Sequence, residues 1–192
     1  LGPGHVQEFY RGIPNCMVID SRREDVKRRL VQSFSSDLIR FYYGDDLIGN
    51  EVGAAAKNVV GIAAGFLDGK GLSSLKGALM SRGTREVARL IQAMGGSQLS
   101  AYGLCHLGDY EATVFSRYSH NRQFGESFIR GETYTDLAEG YYTVEALMLL
   151  SRRYGVELPI CQAVHRVLYC GADPMQELRA LLDRNLTREF GE

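Results

Sequence analysis

The sequence predicts a mainly α-helical fold preceded by a short βαβ-like unit, and three observations carry that prediction. Two short apolar runs, at residues 16–20 and 38–43, flank one amphipathic, charged segment. Beyond residue 47 the apolar positions recur at helical spacing. Helix stops and starts punctuate that stretch: Gly95, Gly155, Pro159 and the pair Asp173-Pro174.

Residues 6–10 read as a short helix. Cys16-Met17-Val18-Ile19-Asp20 reads as a strand, residues 23–34 as an amphipathic helix, and residues 38–43 as a second strand ended by Gly44. Two strands alone are too few for a stable sheet. From residue 47 everything reads as helix. Residues 47–67 form a long apolar helix. Residues 75–94 place Leu75, Leu79, Val87, Leu90, Ile91 and Met94 on one side, with Gly95 as the cap. Residues 121–130 are shorter. Residues 143–154 end at Gly155, and residues 160–169 follow Pro159, a favoured first-turn residue. Asp173-Pro174-Met175-Gln176 opens a last helix to about residue 184, with an N-cap aspartate and a capping-box glutamine.

The totals bound the function. A chain of 192 residues makes one large domain, or one domain with a fragment of another. A formal net charge of −1 disfavours bulk nucleic-acid or membrane-surface binding. No apolar run reaches a membrane span, and no signal-like segment precedes the first helix. Cys16, Cys105, Cys161 and Cys170 are scattered without a C-x-x-C pair, so they read as reduced, buried thiols of a cytoplasmic protein rather than metal ligands. No G-x-G-x-x-G follows a strand, so the chain carries no dinucleotide fingerprint of its own.

The segment Gly53-Ala54-Ala55-Ala56-Lys57-Asn58-Val59-Val60-Gly61 carries the most chemistry. It is an apolar helix with one lysine in its middle. Gly53 and Gly61 lie one turn either side of Lys57, and Asn50 and Ala64 lie two turns away on the same face. A lone lysine in such a helix ordinarily snorkels to solvent. Small neighbours instead leave open space beside a cation that is costly to bury. A basic group over a cavity suits proton transfer or anion binding.

That helix, continued through Ile62-Ala63-Ala64-Gly65, resembles the catalytic-lysine helix of bacterial NAD(P)-dependent glycerol-3-phosphate dehydrogenases. Other motifs resemble the same family in the same order. Leu1-Gly2-Pro3-Gly4-His5 is similar to its Gly-Pro-Ser-His turn. Gly108-Asp109 with Ser119-His120-Asn121-Arg122-Gln123-Phe124-Gly125 is similar to its Gly-Asp…Ser-Arg-Asn-Arg-Arg-Phe-Gly. Glu139-Gly140-Tyr141 and Glu157-Leu158-Pro159-Ile160 match its Val-Glu-Gly and Glu-Met-Pro-Ile. The resemblance runs over nearly the whole length.

The resemblance implies a substrate domain of the 6-phosphogluconate-dehydrogenase C-terminal-like type at residues 47–192. Residues 1–46 would be the remnant of a Rossmann sheet, whose fingerprint would lie in an N-terminal domain outside this sequence. A truncated chain or a proteolytic fragment is therefore expected. The implied reaction interconverts dihydroxyacetone phosphate and sn-glycerol 3-phosphate with NAD or NADP, in glycerolipid precursor synthesis. Lys57 would be the general acid and base, with Asp109 beside it and Thr113 one turn on. Substrate would be held by Gly2, Gly4, Ser119, His120 and Asn121, and cofactor by Val6, His120, Leu137 and Glu139. No metal is implied. A cytoplasmic homodimer without nucleic-acid or membrane partners is expected, since unpaired strand edges seek a second copy.

Read from local sequence instead, Asp109 is a helix N-cap, Ser119 opens an ordinary solvated helix, and Glu139 is a loop carboxylate. His165, in mid-helix, reads as structural or surface. Three departures from the family pattern stand out. His120 replaces an arginine that offers a bidentate, always-charged fork, with Arg122 or Arg117 as nearby substitutes. Gly4 stands where the family has Ser or Thr. His106 stands where the family has a small residue before Leu-Gly-Asp. They keep open two alternatives: a divergent dehydrogenase for another small hydroxy-acid or phosphorylated substrate, and a non-catalytic paralogue used for binding or assembly. The presence of Lys57, Asp109, Thr113 and Asn121 together argues against the paralogue.

Overall fold

Strands β1 (Asn15–Ile19) and β2 (Ile39–Tyr43) pair in parallel, Asn15 opposite Ile39 and Ile19 opposite Tyr43. Parallel neighbours need a crossover, and helix α2 (Glu24–Phe34) supplies it. The structure, a computed structural model, describes residues 1–4, 6–184 and 189; His5 of the N-terminal motif lies outside the described residues. A four-residue helix α1 (Val6–Phe9) precedes β1. Leu1 lies along the strand, exchanging backbone hydrogen bonds of 2.7 and 3.0 Å with Val18. Lys27 of α2 is buried and donates to the Gly44 carbonyl at 2.6 Å and the Asp45 carboxylate at 2.7 Å, which fixes the end of β2.

Helix α3 (Leu47–Gly69) is the axis of the remainder. Its N-terminus is anchored twice. Asp46 caps it, accepting from the Gly49 N–H at 3.0 Å, and the same carboxylate takes the Ser97 N–H and Ser100 hydroxyl at 2.8 and 2.6 Å. Asp20, just past β1, accepts from the Asp46 N–H at 2.9 Å and from the Asn50 amide at 2.7 Å. The βαβ unit is thereby tied to the first turns of α3.

The core lies on one side of α3. Ala56, Val59 and Ile62 pack with Val87, Leu90 and Ile91 of α4 (Lys76–Ala93), Val144 and Leu147 of α6 (Glu139–Tyr154), and Cys161 and Val164 of α7 (Pro159–Cys170). Each Val, Leu or Ile among them contributes roughly 1.5–3 kcal/mol by leaving water. Glu86 of α4 is buried and caps α7 from outside, accepting from the Ile160 and Cys161 N–H groups at 2.9 Å each. Burial pushes its carboxyl up while those N–H groups oppose the rise. A last helix α8 (Pro174–Leu182) is capped by Asp173, which accepts from the Gln176 N–H at 2.9 Å.

On the other side of α3 runs α5 (His120–Arg130), and here the two backbones touch. A Cβ added at Gly65 would lie 2.1 Å from the Arg122 carbonyl oxygen. One added at Gly125 would lie 2.3 Å from that of Ile62. The crossing exists because both positions lack a side chain.

Three expectations need correction. The stretch between α4 and α5 is not regular helix. It runs through 3₁₀ turns at Gln98–Tyr102 and Leu107–Asp109 and a π-helical turn at Glu111–Phe115. Gly95, with φ of +90°, ends α4, and the turns beyond it are held by tertiary partners such as Asp46. Helix α6 begins at Glu139 rather than 143, because the Asn121 side chain accepts the Gly140 N–H at 2.8 Å and satisfies a first-turn donor. The cysteines are not uniformly buried: Cys105 and Cys161 are, Cys16 is half-buried, and Cys170 at the end of α7 is exposed. Among the described residues no helix is long and apolar enough to cross a membrane.

The α3–α5 crossing sets a sign that helix propensity alone would get wrong. Alanine is worth ~0.5–1 kcal/mol over glycine in a helix interior, yet overpacking against rigid backbone costs ~1–3 kcal/mol. Gly65→Ala or Gly125→Ala should lower the urea midpoint. Gly77→Ala in α4, where an added Cβ meets nothing within 4 Å, should leave it unchanged or raise it.

Candidate active site

Lys57 occupies the middle of α3 on the face that carries Gly53 and Gly61. Its ammonium forms an ion pair with the Asp109 carboxylate. The Lys57 side chain is 21 % exposed and that of Asp109 3 %. Lysine therefore does not snorkel out; it reaches a buried carboxylate and keeps an open side. Asp109 ends the 3₁₀ turn at Leu107–Asp109, directly before the π-helical turn at Glu111–Phe115.

The turn carrying Asp109 rests on His106, which is wholly buried. His106 Nδ1 lies 2.8 Å from the Gly53 carbonyl, and Nε2 lies 2.7 Å from the Tyr110 hydroxyl. A carbonyl only accepts, so Nδ1 carries the proton and Nε2 accepts from Tyr110. Burial, and secondarily the Lys57 ammonium, push His106 down to about 4.

Next along the chain, the π-helical turn buries Thr113. Gly61 makes room for it: a Cβ there would come within 2.9 Å of the Thr113 methyl and 3.2 Å of Asn121 Cβ. Thr113 and Asn121 thus both press on α3 one turn beyond Lys57. Asn121 Oδ1 is committed to the Gly140 N–H, which leaves its NH₂ group as a donor. Ser119 caps α5, accepting from the Arg122 N–H at 3.3 Å. His120 is the first residue of α5 and is 58 % exposed. Its Nδ1 is 2.8 Å from the Tyr134 hydroxyl and 3.9 Å from the Asp136 carboxylate.

The remaining expected residues fall into two places. Glu139 is exposed at the start of α6, and its carboxylate accepts from the Asn58 amide at 3.1 Å, beside Lys57 in sequence. Leu137, two residues earlier, is an exposed apolar side chain. Gly2, Gly4 and Val6 sit in the βαβ unit. Gly2 has φ of +141° and lies on Met17 and Cys16 of β1. A Cβ at Gly4 would meet the Phe9 ring at 2.8 Å, and Val6 opens α1, exposed.

Arg122 is not free to replace the arginine expected at position 120. Arg122 donates to Asp68 at 2.9 Å, Glu126 at 2.8 Å and the Ser116 carbonyl at 3.1 Å. Arg117 donates to the Tyr118 hydroxyl at 2.8 Å and lies over its ring. Asp68 also receives Lys76 at 2.5 Å and Ser73 at 2.7 Å. Burial would raise the Asp68 carboxyl, but the donors from Lys76, Ser73 and Arg122 hold it below the usual carboxylate range. His165 is half-buried and stacks on Tyr169 with ring centres 5.1 Å apart. Among the described residues no group of three His, Cys, Asp or Glu side chains is placed to hold a metal ion.

The reading of the sequence missed Asn58, Tyr110, Tyr134 and Asp136 as parts of this neighbourhood. Asn58 had a signal, since it follows Lys57 in the motif. Tyr134 and Asp136 sit in an irregular loop whose place near His120 no periodicity encodes.

A pH dependence follows from His106. The unfolded histidine protonates near 6.5 and the folded one near 4, so its contribution to stability is complete above about 6.5. It is lost as pH falls from there toward 4, by roughly 3 kcal/mol at most. Urea unfolding of the native protein and of His106→Asn should show a stability difference that shrinks over that window.

Comparison with known proteins comes to the same place. The family described as NAD-dependent glycerol-3-phosphate dehydrogenase C-terminus matches residues 46–179. The glycerol-3-phosphate dehydrogenase [NAD(P)+] of Thermus thermophilus is 41 % identical over 194 residues, covering 98 % of this chain and 60 % of that protein. That of Thermotoga sp. is 36 % identical over 197 residues, with the same two coverages, 98 % and 60 %. The crystal structure of glycerol-3-phosphate dehydrogenase from Coxiella burnetii superposes with a TM-score of 0.90 at 31 % identity, over 95 % of this chain and 59 % of that one. The chain spans about 60 % of the length of the curated relatives it matches. By profile and by identity, it belongs to the NAD-dependent glycerol-3-phosphate dehydrogenase C-terminal family.

Proposed function

We propose that this chain is the substrate-holding and proton-transferring part of an NAD(P)-dependent sn-glycerol-3-phosphate dehydrogenase. The whole protein would interconvert dihydroxyacetone phosphate and glycerol 3-phosphate for glycerolipid precursor synthesis. The observation that carries this reading is the half-open Lys57 ammonium held by the buried Asp109 carboxylate.

Ketone reduction needs a proton at the oxygen that becomes the hydroxyl, and oxidation needs it removed. Lys57 gives that proton as ammonium and takes it back as amine. Asp109 keeps the ammonium in place. Thr113 and the Asn121 NH₂ offer donors for the substrate's oxygens. The α5 N-terminus, with Ser119 and His120, suits the phosphate: its first N–H groups and dipole favour an anion. Gly2 and Gly4 would line the substrate from the side of the βαβ unit.

The chain also fits a nicotinamide. Glu139, held by Asn58, offers a fixed carboxylate, and Leu137 and Val6 offer exposed apolar surface. When bound, the nicotinamide supplies or removes the hydride. Residues 1–46 belong to the cofactor-binding part and 47–192 to the substrate part. A homodimer and a cytoplasmic setting complete the proposal, the outer edge of β2 having no strand beside it among the described residues. The isolated chain should show no tight binding of NADH or NADPH by calorimetric titration; micromolar affinity would contradict the division of labour.

Lys57→Ala in the full-length protein should lower kcat by roughly 10²–10⁴-fold, the usual scale for loss of a general acid or base. Activity within a few-fold of the native enzyme would mean that another group moves the proton.

His120→Arg should tighten binding of dihydroxyacetone phosphate by about 1–2 kcal/mol, because a bidentate charge-assisted pair replaces a single contact. Affinity unchanged by arginine would take phosphate away from position 120 and bring a different substrate class forward.

A further inference from the structure

His106, Tyr110 and Thr84 form a buried polar chain that the proton-transfer chemistry does not use. His106 and Thr84 are essentially inaccessible, as is Tyr110. The Gly53 carbonyl takes the Nδ1 proton at 2.8 Å, and Nε2 takes the Tyr110 hydroxyl at 2.7 Å. Thr84 of α4 donates to the Met80 carbonyl at 2.8 Å and lies 3.4 Å from the Tyr110 oxygen. Both ring nitrogens are satisfied, the condition for burying an imidazole in its neutral form.

The placement of this chain is specific. Gly53 is the turn of α3 directly before Lys57. Added as a Cβ, an atom there would lie 3.2 Å from His106 Cβ and 3.1 Å from Cys105 Sγ, so the loop rests on helix backbone. The Asp109 N–H donates to the His106 carbonyl at 3.0 Å. Tyr110 adjoins Asp109 in sequence and reaches α4. His106, three residues before Asp109, is therefore fastened to the Lys57 turn of α3, and Tyr110, the residue after it, is held by His106 and by packing with Val60, Leu79 and Met80. A free 3₁₀ turn of three residues has little rigidity of its own.

We propose that His106, together with Tyr110, is a positioning residue for the Lys57–Asp109 pair. It fixes the short turn that carries the carboxylate to the helical turn that carries the ammonium. The inference rests on reading that pair as the proton-transfer group of the proposed dehydrogenase.

The test separates a positioning role from a general structural one by comparing two carboxylate-paired lysines, Lys57 partly open and Lys76 buried. Lys57 is paired with Asp109, and Lys76 with Asp68 far from His106 in sequence. Acylation by a small amine-reactive reagent at fixed pH, followed by peptide mass spectrometry, reads how well each ammonium is held. In His106→Ala, the Lys57 rate should rise roughly tenfold, the scale of losing a close opposite charge. The Lys76 rate should not change. His106→Asn keeps a donor at the Nδ1 position and should restore Lys57 protection to within about threefold, as one neutral hydrogen bond is kept. Should His106→Ala fail to fold, Tyr110→Phe decides, because it keeps the ring and loses only the hydroxyl; it should raise Lys57 reactivity a few-fold.

In the full-length protein, His106→Ala should lower kcat by about 10–100-fold with KM little changed, as expected for a misplaced reacting group. Native-like protection of Lys57 in folded His106→Ala or Tyr110→Phe protein overturns the positioning role, and so does equal loosening of Lys57 and Lys76. Selective loosening of Lys57 with unchanged kcat would support positioning and overturn the reading of the pair as the proton-transfer group.

Discussion

Everything near the site depends on helix α3 having no side-chain bulk along one face. At Gly65 its backbone meets that of α5 at Gly125, closer than any Cβ would permit. Gly61 admits Thr113 and Asn121, and Gly53 admits His106. Gly140, at the start of α6, lies so close to the Asn58 carbonyl that a Cβ there would sit at 2.7 Å. Each helical glycine gives up ~1 kcal/mol of helix propensity relative to alanine. What is gained is access: four separate segments reach the same helix backbone. Lys57 is the one long side chain on that face, so the polar groups of all four converge around it.

The same arrangement explains what could be read from the sequence. Residues 53–65 showed a lysine among small residues, and the periodicity placed them on one face without any tertiary information. Ser119 and Asp173 announced their caps because an N-cap is a local hydrogen bond, closed within three residues. Proline 159 and glycines 95 and 155 marked helix ends for equally local reasons.

Long-range partners were not legible. The carboxylate that caps α7 comes from Glu86, 74 residues before Ile160. Arg122 looked like a spare cation for phosphate until its partner Asp68, 54 residues away, was in view. Residues 97–115 follow no helical or strand period because their short turns, closed by local hydrogen bonds, are placed by contacts with Asp46, Gly53 and Val60. His106 could be seen as a departure from a family pattern. Its function depended on an acceptor, the Gly53 carbonyl, that carries no sequence signal at all.

Two buried cation–carboxylate groups stand on either side of the α5 start, and their difference separates chemistry from support. In the first, Asp68 gathers Lys76, Arg122 and Ser73, while Lys76 also donates to the Val114 carbonyl and Arg122 to Glu126 and the Ser116 carbonyl. Its donors are spent on the protein. The bonds to Val114 and Ser116 grip the chain between Thr113 and Ser119 at two points. Removing the shared Asp68 carboxylate would strand the buried Lys76 ammonium, a loss of at most about 3–5 kcal/mol of stability. In the second, Lys57 meets Asp109 with a side chain still 21 % open. An ammonium has three donors, and the geometry leaves room for a ligand oxygen beside the carboxylate. The first group holds the loop that carries Ser119, His120 and Asn121; the second keeps a cation available to whatever that loop holds.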